Sequence, residues 1–105
     1  MEQEIKIGDI VRSGIKLVRL HKEERYVIGE SGSSYSSCYL AVLDCTEEIV
    51  VDIDRYAERM HPEWEKRTDN RADVLTKELK GKEVECEIFD FCPPKSYEGK
   101  LIRII

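Results

Sequence analysis

Hydrophobic and polar positions alternate over most of this chain, and the period changes once. Residues 5 to 28 are rich in β-branched and aliphatic side chains, with Gly8-Asp9 and Ser13-Gly14 as breaks, and predict two or three short strands. Ile15 and Leu17 alternate with Lys16, while Val18 and Leu20 fall out of phase with them, as at a bulge or in a strand buried on both faces. The polar run His21-Lys22-Glu23-Glu24-Arg25 then reads as a turn leading into Tyr26-Val27-Ile28, which makes a hairpin the simplest arrangement. Gly29 to Ser37 holds five serines and two glycines in nine residues and predicts a loop. Cys38 to Leu43 and Ile49 to Ile53 are the next strands. In the second, Ile49, Val51 and Ile53 share one face while Val50, Asp52 and Asp54 share the other.

From Arg55 to Arg71 the chain is charged and aperiodic. Ala72, Leu75 and Leu79 then recur at helical spacing, with Asn70 or Asp69 as N-cap and Gly81 as the stop, and predict one amphipathic helix near residues 70–80. Lys82 to Phe91 is a strand with Val84, Cys86 and Ile88 on one face and Glu83, Glu85 and Glu87 on the other. Cys92-Pro93-Pro94 ends it, because proline cannot donate to a ladder. Leu101 to Ile105 is a final apolar strand. This order predicts a mainly β (α+β) fold, a small OB-like β barrel of five to seven strands with one helix, as a single domain over residues 1–105.

Charge narrows the function classes. Lys+Arg 17 against Asp+Glu 22 give a net charge of −5, which opposes nonspecific attraction to nucleic acid or anionic membrane. No apolar run approaches a signal-peptide core or a membrane span, so the expected location is the cytoplasm and no membrane is expected as partner. Cys38, Cys45, Cys86 and Cys92 are then expected as reduced thiols. The spacings Cys38-x6-Cys45 and Cys86-x5-Cys92 lack the close pairs of a structural zinc site, and no cofactor is predicted. Asp52 and Asp54, on one strand face, make with Glu58 a candidate site for a hard cation; the plainer alternative is a solvated strand end.

The second half of the chain resembles the staphylococcal-nuclease (thermonuclease) family. The likeness is carried by Val51-Asp52-Ile53-Asp54, His61-Pro62, the run Ala72 to Glu87 containing Gly81-Lys82-Glu83-Val84-Glu85-Cys86-Glu87, and Tyr97-Glu98-Gly99-Lys100-Leu101. The resemblance implies a metal-dependent nuclease frame in which Asp54 stands for a metal-binding aspartate. It also implies an arginine at position 49 and a glutamate at 57, where this chain has Ile49 and Ala57. The family's Tyr-Gly-Arg becomes Tyr97-Glu98-Gly99-Lys100, and lysine cannot make arginine's bidentate phosphate fork.

Three readings follow. The leading one is a non-catalytic binding module that engages a protein partner through the acidic row Glu83, Glu85 and Glu87. A second is a nuclease or a nucleic-acid-binding OB domain, using Trp64, Arg67, Arg71 and Lys100 for stacking and phosphate contact. The third, by analogy alone, is an acidic inhibitor of a nucleic-acid-binding protein, encoded by a mobile element. The oligomeric state stays open.

Overall fold

The computed structural model describes residues 5–26, 29, 32–92 and 96–105. They form β1 (Ile10–Tyr26), β2 (Ser33–Leu43), β3 (Glu48–Asp52), α1 (Asp54–Met60), α2 (Asp69–Leu79), β4 (Glu83–Cys92) and β5 (Ser96–Ile104). The five strands make one sheet that closes into a ring in the order β1-β2-β3-β5-β4, with β4 returning to β1. Every neighbouring pair is antiparallel except β3 with β5.

The ring closes because β1 is one strand of 17 residues with two different partners. Ile10 to Gly14 pair with Glu83 to Glu87 of β4, and Ile15 to Tyr26 pair with Ser33 to Leu43 of β2. The expected set of two or three short strands is therefore corrected. Ser13-Gly14 marks a change of partner rather than a turn, and the phase change after Ile15 is the register shift between Ile15 and Leu17. The expected turn at residues 21–25 is also strand. Its polarity reflects a two-stranded ribbon, since His21 to Arg25 pair with Ser34 to Cys38 and, among the described residues, no third strand reaches them. Likewise Ser33 to Ser37 belong to β2 and not to a loop, while Val27, Ile28, Glu30 and Ser31 lie outside the described residues. The projecting ribbon accounts for extents of 52 × 32 × 18 Å and a radius of gyration of 15.0 Å, above the ~13 Å of a compact chain this long.

Among the described residues two helices are present where one was expected. The additional one, α1, has seven residues and a single buried side chain, Ala57, too little to print a periodicity. The predicted helix is α2, capped by Thr68 rather than Asp69 or Asn70: the Thr68 hydroxyl accepts the Arg71 N–H at 3.4 Å. Gly81, at φ +85°, supplies the left-handed residue that ends it. Ala72, Leu75 and Leu79 of α2 are buried against Ile15, Val18, Leu43, Val84 and other inward side chains of the ring. β5 begins at Ser96, five residues before the expected Leu101, because its first half pairs with β3. No helix among the described residues is long and apolar enough to cross a membrane.

Candidate functional site

The side chains singled out in the sequence fall into three places. The first is the start of α1. Asp52 Oδ1 accepts the Asp54 N–H at 2.8 Å, and Asp54 Oδ1 in turn accepts the Tyr39 N–H at 2.8 Å and the Arg67 Nε–H at 3.1 Å. Arg67 also reaches Glu58 at 3.4 Å. Partial burial works against the Arg67 charge, but the hydrogen bond and attraction to Asp54, helped by Glu58, hold its pKa above the usual guanidinium range. Asp54 thus joins β2, α1 and the segment before α2. Among the described residues, Asp52, Asp54 and Glu58, expected from the sequence as hard-cation ligands, are not grouped as a set of three that could hold a metal ion. The physical reason is that a guanidinium occupies the space between Asp54 and Glu58.

Beside this network a cavity of about 140 Å³ is lined by Tyr39, His61, Trp64 and Arg67. The His61 and Trp64 rings stack at 3.8 Å and 3°, and the Arg71 guanidinium lies 5.2 Å from the Trp64 ring centre. His61 Nε2 is 2.7 Å from Glu78 Oε1, which ties the segment after α1 to α2. Burial raises the Tyr56 phenol, and the Glu78 carboxylate adds to that shift. Trp64 packs on the core and its π-system is engaged by its own neighbours, so it pins the long connection. Of the four residues proposed for nucleic acid, Trp64, Arg67 and Arg71 come together, and Lys100 sits elsewhere, on β5.

The second place is the outer face of β4. Glu83 bonds Arg12 at 2.9 Å and Glu85 bonds Arg103 at 2.8 Å, while Glu87 lies opposite Lys100 in register. The Arg103 hydrogen bond holds the Glu85 carboxyl below its ordinary range. The glutamate row is thus interleaved with cations from the strands on both sides, which its own sequence cannot reveal.

The third place is a groove of about 970 Å³ between α1 and β5, with Lys100 on its wall. Sequence reasoning missed it because it did not predict α1. One signal was available: Phe89 occupies the outward phase of Glu83, Glu85 and Glu87, and it is 55% exposed. Ile49 and Ala57, where the nuclease resemblance would require arginine and glutamate, are both core residues, 0% and 4% exposed.

Comparison of the chain with protein-family models, with curated proteins and with solved structures returns no match.

Proposed function

We infer that this chain is an OB-like barrel acting as a non-catalytic module that binds a protein partner. The strand order, with a long first strand serving two neighbours and helices between the third and fourth strands, supports the OB-like reading. The observation that carries the non-catalytic reading is the use made of the nuclease-like positions. Ile49 and Ala57 fill the core, and the Asp54 carboxylate is an acceptor for Tyr39 and Arg67 rather than an open ligand. A catalytic arginine and glutamate at 49 and 57 would have to displace packed apolar contacts.

A protein is favoured over nucleic acid on charge. The net charge is −5, and Arg12, Arg19, Arg67 and Arg103 are each already in ion pairs with carboxylates. The test is direct. The purified chain, incubated with single- and double-stranded DNA and RNA in calcium, magnesium or manganese, is expected to leave the phosphodiester backbone intact. Metal-dependent cleavage that Asp54→Ala abolishes would overturn the reading. Partner capture from the native host is expected to survive nuclease treatment, and its loss would point to the nucleic-acid alternative.

A further inference from the structure

The pairing of β3 with β5 stops at Val51 and Gly99. Past that point β3 turns into α1 while β5 runs on beside β4 to Ile104, and the groove opens between the two. Every residue of β5 from Gly99 to Ile104 lines it. Successive side chains of a strand alternate between faces, so an unbroken run of lining residues marks the strand's edge, not one of its faces. On that edge, among the described residues, no strand pairs with Lys100 to Ile104.

The opposite wall is one face of α1: Arg55, Tyr56, Arg59 and Met60. Met60, Phe89 and Ile102 give the groove apolar footing and are 55%, 55% and 48% exposed. Its charges are Arg55, Arg59, Lys100 and Arg103 against Asp52 and Asp54. Asp52 accepts the Asp54 N–H, Asp54 accepts from Tyr39 and Arg67, and among the described residues only Arg103 of the four cations has an ion-pair partner. An acidic protein therefore carries one cationic, partly apolar groove bordered by an unpaired strand edge.

We propose that this groove takes an extended segment of the partner protein that carries both acidic and apolar residues, added as a strand to the free edge of β5. The proposal rests on the protein-binding reading above and specifies its surface and ligand chemistry. Backbone hydrogen bonds to residues 100–104 fix the register. Carboxylates of the segment meet Arg55, Arg59 and Lys100, and its apolar side chains meet Met60, Phe89 and Ile102. A second copy of this chain is the weaker fit, because edge-to-edge pairing brings two cationic grooves together.

The experiment titrates the isotopically labelled full chain with a synthetic peptide alternating glutamate and valine, about eight residues long. Amide signals of residues 100–104 are expected to shift and gain protection from exchange. Arg59→Glu is expected to weaken binding at least about tenfold, while Lys77→Glu on α2 leaves it within about twofold. N-methylation of alternate peptide amides, which keeps every charge, is expected to abolish binding. Thermal melts of both variants establish that they remain folded. Shifts confined to residues elsewhere, indifference to Arg59→Glu, or tolerance of N-methylation would overturn the proposal, as would a dimer built on β5. If the peptide fails while nuclease-resistant partner capture persists, the groove falls and the protein-binding reading stands. If a thymidine oligonucleotide occupies the groove instead, with steep loss of affinity in salt, both fall.

Discussion

Gly99 is a buried glycine whose need is steric. A Cβ there would lie 3.0 Å from the Cys86 sulfur, 3.3 Å from its Cβ and 3.5 Å from Val51. Gly99→Ala is therefore expected to destabilise the fold by about 1–3 kcal/mol in urea titrations, and Cys86→Ala in the same chain to recover part of the loss, since the two sites share one space. The thiol on the other side of that contact is fully buried, and burial, with a smaller contribution from Cys45, pushes its pKa up to about 11. An acid whose folded pKa is raised keeps its full stabilising contribution below the unfolded value. Stability is thus expected to fall by about 2 kcal/mol as pH rises from about 9 through about 11, a decrement absent from Cys86→Ala. Cys86 was legible as a core residue from its phase between Val84 and Ile88. The role of Asp54 was not, because its partners Tyr39 and Arg67 are remote in sequence and reach it through the fold.

Among the elements, α2 does for β1 what β4 cannot. Beyond Gly14 the first strand has lost β4 as a neighbour, and α2 covers the edge left open. Thr76 takes the place of a strand partner: its hydroxyl accepts the Val18 N–H at 2.9 Å and lies 3.0 Å from the Val18 carbonyl oxygen. Thr76→Val keeps the shape and leaves a part-buried N–H without an acceptor, and is expected to cost about 1–3 kcal/mol, with Thr76→Ser largely restoring stability. Elements with a sustained period and one burial pattern, β3, α2 and β4, could be read from the sequence. β1 could not, because a strand that changes partners carries a polar break and a phase shift, the same marks a turn leaves. Nor could α1, whose short length and lone buried Ala57 give no repeat to count.

For the molecule as a whole, ring closure is the decisive step. The seam between β1 and β4 joins residues distant along the chain: Arg12 and Glu83 are 71 positions apart. The β1–β2 hairpin is local by comparison and can form before β4 arrives. A chain whose defining contact spans most of its length must close a long loop against conformational entropy before that contact repays it. Stopped-flow refolding is expected in the range of about milliseconds to seconds. Val11→Ala at the seam is expected to speed unfolding while leaving the folding rate nearly unchanged, as for a contact formed after the transition state. Equal effects on both limbs of the chevron would place the seam in the nucleus. Until it forms, both Ile10 to Gly14 and the strand meant to receive them expose unpaired edges. The interval before closure is then the stage at which the nascent chain is most prone to pair with another molecule.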